Sequence, residues 1–303
     1  MTAMQDDTLA TWRKLPLKYG LRNNLVTAHA LARSAIFSTQ SYRCHAQRPL
    51  YLEKTPLTST SDIKVFQTAG HQLDQGDADV FYELLRRVFA SECEMQRESR
   101  VCFNRAELLK ALGRSSGGKT RKLLDESLDR LFRAEFEFSV PGLFTGKSRL
   151  ILKMHRRDKE STAVFDFDVL LDVELAKLFD RKQWALLRQS QRQLLEGNPL
   201  ARGLHAFYST LVSPYPMYPE TLKQLMGRQT MQESKWRAAL LTALDKLKRA
   251  TGWTRCELET EGKNAGKVVV VRDNTSAQVR ASVRKAETSA PDETGAVAAC
   301  DDI

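Results

Sequence analysis

Residues 113–120 carry the pattern with the most recognisable chemistry. Their letters, Gly-Arg-Ser-Ser-Gly-Gly-Lys-Thr, fit the phosphate-binding loop G-x-x-x-x-G-K-[ST], in which Lys119 would reach the terminal phosphates and Thr120 would bind Mg²⁺. That chemistry requires a buried strand immediately before Gly113. Residues 105–112 have helical leucine spacing instead, so the pattern favours a turn between two helices over a nucleotide site.

The acidic, histidine and cysteine residues offer little catalytic chemistry. Asp166 and Asp168 alternate with Phe165 and Phe167, which is typical of a half-exposed strand and disfavours a metal-dependent nuclease site. The five histidines lie far apart, and the five cysteines contain no C-x-x-C pair. We therefore predict no catalytic residue, no metal, no cofactor and no enzymatic activity.

The charge balance favours a polyanionic partner. The 303 residues contain 47 Lys+Arg against 37 Asp+Glu, a formal net charge of +10, and residues 274–303 are net acidic, so the basic excess lies on the rest of the chain. No apolar run is long enough for a membrane span, the start is polar rather than a signal peptide, and the odd, scattered cysteines fit reduced thiols. We expect a cytoplasmic protein without a membrane partner.

One pattern occurs twice in the chain. Residues 108–114 and 128–134 resemble residues 222–228 and 244–250, which indicates two versions of one supersecondary unit. Each copy predicts a helix ended by a glycine, a turn, a longer amphipathic helix and a hairpin.

The predicted hairpins and flanking elements complete each unit. The hairpin strands are 136–140 with 149–154, and 253–258 with 268–271. A further helix precedes each copy, over 80–89 and 200–211, and a strand at 163–171 and a connecting helical segment at 174–196 lie between the units.

Three helices followed by a hairpin are typical of a winged helix. We predict an α+β fold of two tandem winged-helix (helix-turn-helix plus β-hairpin wing) domains. The predicted division is a flexible N-terminus at 1–25, domain 1 at 26–173, domain 2 at 174–273 and a disordered C-terminal tail at 274–303.

The second helix of such a unit enters the major groove with its N-terminal end, and the wing contacts phosphates. Both predicted helix starts carry basic and amide side chains that suit base edges, whereas Leu123 and Leu124 are predicted to turn inward. The predicted DNA-binding residues are Arg114, Ser115, Lys119, Thr120, Arg121, Lys122, Lys147, Arg149, Arg228, Gln229, Thr230, Gln232, Ser234, Lys235, Arg237, Lys263 and Lys267.

The same regions resemble plasmid replication initiators of the TrfA-like family. The similarity runs from Arg22 to Arg272, and residues 32–39, 107–113 and 234–237 carry it most clearly. The first of these segments has no structural rationale in its composition. A longer, glycine-rich first turn and an extra polar tail depart from the family pattern, so base-by-base assignment does not transfer.

The resemblance implies a bacterial cytoplasmic protein, associated with plasmid DNA, that binds direct repeats (iterons) in double-stranded DNA at an origin. It also implies opening of a neighbouring AT-rich segment, recruitment of the host initiator and replicative helicase, a monomer–dimer equilibrium and a role in plasmid copy control. The recognition role carries over to residues 119–122 and 234–237.

Three other functions remain open at this stage. A winged-helix transcriptional regulator of its own operon would use the same domains, and a P-loop ATPase would use residues 113–120. A replication nuclease or relaxase would use a metal or a tyrosine, for which Tyr215 and Tyr218 are the candidates.

Overall fold

Two hydrophobic cores, formed by successive parts of the chain, organise the fold. The computed structural model describes residues 21, 23–42, 45–90, 99–157 and 164–272. The larger core extends from Leu21 to Leu187 and includes Ala206, whereas the smaller core extends from Leu195 to Val270. The tail predicted to be disordered, and most of the predicted flexible N-terminus, lie outside the described residues.

Both parts contain helices and strands. Within the described ranges the helices are α1 (His29–Ala32), α2 (Gln75–Ala90), α3 (Arg105–Ala111), α4 (Gly118–Arg133), α5 (Gln189–Leu194), α6 (Pro199–Ser209), α7 (Pro219–Leu225) and α8 (Glu233–Thr251). The strands are β1 (Asn24–Ala28), β2 (Phe37–Ser38), β3 (Leu50–Tyr51), β4 (Thr55–Leu57), β5 (Lys64–His71), β6 (Leu73–Asp74), β7 (Arg100–Phe103), β8 (Glu135–Val140), β9 (Phe144–Arg149), β10 (Ile151–Arg156), β11 (Phe167–Leu171), β12 (Trp184–Arg188), β13 (Arg255–Leu258) and β14 (Val268–Val271). Short 3₁₀ segments cover His45–Gln47, Val173–Lys182 and Gly262–Asn264.

The first unit contains two hairpins where one was predicted. Strand β8 pairs with β9, and β10 pairs with β11, which also pairs with β7 in the antiparallel order β10-β11-β7. The prediction that residues 136–140 pair with 149–154 is therefore wrong. The chain bends at the fully buried Leu150, so the strands on either side of it belong to different sheets, and β8 also pairs antiparallel with β5.

The second unit has the same order without the extra hairpin. Helices α6, α7 and α8 are followed by β13 and β14, which pair antiparallel. Met217, just before α7, bridges to Val268 on β14, as β7, just before α3, pairs with β11. In both units the last strand of the hairpin thus pairs with the segment that precedes the helix pair. The repeated sequence therefore occupies equivalent positions in the two units.

The segment predicted as a helical connection at 174–196 is mixed. A 3₁₀ segment covers Val173–Lys182, β12 pairs antiparallel with β1, and only α5 is α-helical. Strand β12 forms because its side chains alternate, with Ala185 and Leu187 buried. Residues 175–187 pack in the larger core, although the predicted division places them in domain 2.

A glycine in the left-handed conformation lies in the turn of each helix pair, α3–α4 and α7–α8. Gly113 and Gly227 have φ of 72° and 68°, a conformation that glycine adopts without a Cβ penalty. The following N–H groups of Arg114 and Arg228 donate to Leu109 O at 2.8 Å and to Lys223 O at 2.9 Å, the hydrogen bond of a Schellman end. The predicted stops at both glycines are confirmed.

Gly203 marks a close approach between the two parts of the chain. It lies within α6, where a Cβ would clash with the Thr39 methyl group and lie 2.9 Å from the sulfur of Met226. Glycine in a helix interior normally lowers stability relative to alanine. Here the approach of the N-terminal segment to α6 requires it.

We expect Gly203→Ala to lower the free energy of unfolding by about 1–3 kcal/mol, because an added methyl group overpacks this contact. The matched control is Gly118→Ala, since a Cβ on Gly118 meets nothing within 4 Å; it should be neutral or stabilise by up to about 1 kcal/mol. Urea denaturation followed by circular dichroism measures both. Equal stability of the two variants would contradict the close approach.

Candidate nucleic-acid interface

The segment that resembles a phosphate-binding loop is a turn between two helices. Helix α3 ends at Ala111 and α4 begins at Gly118, so a helix rather than a strand leads into Gly113. The strand before α3 is β7, which pairs antiparallel with β11. The geometry required for a phosphate-binding loop is therefore not formed at residues 113–120.

The start of α4 presents charged side chains to solvent. Ser115, Lys119, Arg121 and Lys122 are exposed, and Thr120 is half-buried. Lys119 and Arg121 form no ion pair with the described residues, and Lys122 lies 4.0 Å from Glu126. These cations therefore remain available to an anionic partner.

The inner face of α4 differs from its prediction at one leucine. Leu124, Leu128 and Leu131 are fully buried and form an i, i+4, i+7 stripe. Leu123, predicted to point inward, is 49% exposed because its position lies outside that stripe. It joins the outward face with the basic residues.

The start of α8 presents a matching surface. Gln232, Ser234, Lys235 and Arg237 are exposed, while Trp236 is fully buried. Neither Lys235 nor Arg237 forms an ion pair within the part of the chain that the structure describes.

In the turn before α8, Gln229 and Thr230 are exposed but have side-chain contacts with the first unit. The Gln229 amide donates to Thr58 Oγ1 at 3.1 Å, and Gln40 donates to Thr230 Oγ1 at 3.5 Å. Exposed hydrogen bonds of this kind exchange readily with other polar partners.

Arg114 and Arg228 do not join this exposed surface. Arg228 is buried, with Nε 2.9 Å from Thr39 Oγ1 and Nη2 2.6 Å from Thr39 O, and burial lowers the pKa of its guanidinium. The half-buried Arg114 lies 3.5 Å from the carboxylate of Asp79. Both guanidinium groups point back into the protein, which disfavours them as DNA contacts.

The predicted contacts on the first wing lie elsewhere in the hairpin than the prediction placed them. Lys147 and Arg149 lie within β9 rather than at a hairpin tip, in register with Glu137 and Glu135. Arg149 also forms an ion pair with Glu135 at 3.3 Å. These glutamates oppose the approach of a phosphate.

The other hairpins place basic residues at or near their tips. Arg157 is exposed at the end of β10, next to the connection to β11; the sequence did not indicate it because β10 was assigned to the wrong hairpin. Lys263 is exposed in the 3₁₀ turn between β13 and β14. Lys267 is half-buried, with Nζ 5.0 Å from the ring centroid of Tyr218.

Asp166 has a structural role. Its carboxylate accepts from Arg105 N at 2.9 Å, at the first residue of α3, and its own N–H donates to Asn104 Oδ1 at 3.1 Å. These contacts satisfy a free N–H at the helix start. Across the described ranges, no three histidine, cysteine or acidic residues gather as a possible metal site.

Residues 33–39, which we call the strap, contact the second unit. Arg33 donates to Thr210 Oγ1 at 2.8 Å, and Thr39 N donates to Met226 O at 3.0 Å. Ser38 Oγ donates to Gly227 O at 3.1 Å. The strap thus contacts the end of α6 and the turn before α8, which gives this segment the structural rationale that its composition does not reveal.

Similarity to known proteins covers most of the chain. The sequence model described as TrfA protein matches residues 20–257. The plasmid replication initiator protein TrfA of Escherichia coli is 24% identical over 218 residues, which is 72% of this chain and 55% of that protein. The chain therefore spans about half the length of that relative.

Solved structures show likeness in fold. A crystal structure of selenomethionine derivatives of domains 2 and 3 of RctB has a TM-score of 0.55 at 14% identity, covering 82% of this chain and 99% of that chain. A second structure of RctB domains 2-3 has a TM-score of 0.49 at 14% identity, with 81% and 97% covered. None of the described helices is both long and apolar enough to cross a membrane. Because the family match extends over well more than half of its residues, this chain belongs to the TrfA family.

Proposed function

We propose that this chain is a plasmid replication initiator that binds direct repeats in double-stranded origin DNA through two winged-helix domains. The observation that carries the proposal is a set of exposed cations at the starts of the equivalent helices α4 and α8 that have no ion-pair partner among the described residues, namely Lys119, Arg121, Lys235 and Arg237. A phosphate backbone would supply the negative partner for these cations. Family membership supports the link to plasmid replication.

The order of elements supports the assignment of a winged helix to each unit. In this assignment α3 and α7 brace the recognition helices α4 and α8, and the hairpins β10–β11 and β13–β14 are the wings. The hairpin β8–β9 is an insertion that joins the first domain to β5. The two cores favour a domain boundary between Leu187 and Leu195.

The side chains at each recognition helix suit different parts of a duplex. Lys and Arg favour guanine edges or phosphates, and Gln229 and Gln232 suit adenine. The exposed Leu123 is an apolar group of the kind that contacts a thymine methyl group. Two recognition helices in successive major grooves would be about 34–36 Å apart, which corresponds to a site of roughly 20 base pairs.

The remaining steps follow from the family. They are opening of an AT-rich segment, recruitment of host initiator and replicative helicase, and exchange between monomer and dimer, in a cytoplasmic protein without enzymatic activity. A repressor of its own operon is the alternative for the same domains.

Footprinting on DNA that flanks the gene distinguishes the two functions. We expect evenly spaced protection over direct repeats, because each protein copy would occupy one repeat in the same orientation. Protection of one isolated inverted repeat would favour the repressor. An affinity that does not change with salt concentration would contradict the electrostatic basis of both.

We expect alanine at Lys119, Arg121, Lys235 or Arg237 to weaken binding to the protected repeat by about 1–3 kcal/mol each, through lost base or phosphate contacts. The control is Lys64→Ala, which removes an exposed cation from β5, outside both helix pairs. Fluorescence anisotropy at fixed salt measures all five variants. Wild-type affinity in the four helix variants would show that α4 and α8 do not contact the DNA.

The revised wings make a separate prediction. Arg157→Ala and Lys263→Ala should weaken binding uniformly across DNA sequences and each reduce the slope of log affinity against log salt by about 1, as expected for a lost phosphate contact. Lys147→Ala should leave the slope unchanged because Lys147 lies opposite Glu137 within β9. The reverse pattern would restore β8–β9 as the wing.

A further inference from the structure

A buried carboxylate connects the two units. Asp79 lies on α2 and is 5% exposed. Its Oδ1 bonds to Arg192 Nε on α5, and its Oδ2 lies 2.7 Å from Arg202 Nη1 on α6 and 3.5 Å from Arg114 Nη2 in the turn before α4. Burial alone would raise the pKa of Asp79, but these three arginines lower it overall, so the carboxylate stays charged.

Helix α5 adds contacts to both helix pairs. The Gln189 amide donates to Ala111 O at the end of α3, and the Gln191 amide donates to Thr251 O at the end of α8, 3.1 Å away. Gln193 packs so closely on Gly113 that a Cβ there would lie 2.9 Å from its amide nitrogen. This short helix therefore contacts the first turn on one side and the second recognition helix on the other.

The strap completes the connection on the second unit. The Thr39 hydroxyl donates to Met226 O at 2.8 Å and accepts from Arg228 at 2.9 Å. On the other side, the Gln75 amide of α2 donates to Phe37 O at 2.7 Å. The turn before each recognition helix is thus anchored to the contact between the units by its own arginine, Arg114 to Asp79 and Arg228 to Thr39.

We propose that Asp79, its arginines and the strap hold α4 and α8 at one fixed separation and angle, so that the spacing of the two grooves in a repeat is itself a determinant of specificity. The inference rests on the proposed function. In this role Asp79 and Thr39 are positioning residues, since both are buried and act through the helices that would contact DNA.

DNA geometry supplies the test. About 10–10.5 base pairs make one turn, so two inserted base pairs rotate the second groove by roughly 70° relative to the first. If the two recognition helices are held rigidly, one of them would then no longer contact the bases in its groove. If they are joined flexibly, both would still reach their grooves.

The probe is the repeat defined by footprinting, unmodified or with two base pairs inserted between its two protected grooves. For the wild type we expect the insertion to weaken binding at least about tenfold, since one helix loses its base contacts. For Arg202→Gln and Thr39→Val, which loosen the connection at independent points, we expect a loss below about threefold on insertion and weaker binding to the unmodified repeat. The control Arg48→Gln removes a similarly buried arginine whose partners, Asp74 and Asp77, both lie on the first unit. We expect this variant to lose as much affinity on insertion as the wild type does.

A wild type that tolerates the insertion, or variants that lose as much affinity as the wild type, would overturn the proposal. Urea unfolding provides a readout without DNA. Tryptophan fluorescence and circular dichroism should coincide in the wild type, and separate in both variants as the two units unfold independently. Coincident transitions in both variants would also overturn the proposal. Failure of the wild type to bind any duplex would contradict the proposed function, and the unfolding result would then show by itself whether Asp79 and the strap connect the two units.

Discussion

The arrangement of the two units depends on the buried charge of Asp79. Removing a carboxylate and its arginine partners from water is costly, and their attraction offsets that cost only when the geometry satisfies them. The three arginines come from the first turn, α5 and α6, so all of these elements must meet at one place. Removing one member of such a buried group typically costs about 3–5 kcal/mol, which opposes any rearrangement that separates them.

The repeated Gly-Arg pair shows how one short pattern serves two structural purposes. Gly113 and Gly227 end a helix in the left-handed conformation, and the next residue donates its N–H back to the helix. That geometry turns the side chains of Arg114 and Arg228 towards the protein, where each finds a different acceptor. The repeat thus preserves the local turn while the longer-range partner differs between the two units.

The sequence predicted the local structure well because local physics determines it. Amphipathic spacing and helix-ending glycines suffice to place α3, α4, α7 and α8, and Pro219 is a residue type that favours the first position of α7. The pairing of β1 with β12 and of β10 with β11 depends on contacts between distant residues, which periodicity does not encode. The contacts of the strap were not predicted for the same reason, since its partners Thr210 and Met226 lie 177 and 187 residues later in the chain.

In the candidate site, too, the features set by local structure could be predicted and those set by tertiary contacts could not. Exposure at the starts of α4 and α8 follows from the helical period, whereas the orientation of Arg114 and Arg228 depends on Asp79 and Thr39 in tertiary contact. Arginine suits such interior positions because its planar fork bonds several acceptors at once, while lysine is a strongly hydrated point charge. The arginines at 114, 192, 202 and 228 serve the interior accordingly, and Lys119 and Lys235 stay in solvent. Net charge therefore indicates a polyanionic partner, but only the pairing of each cation within the fold indicates which surface meets it.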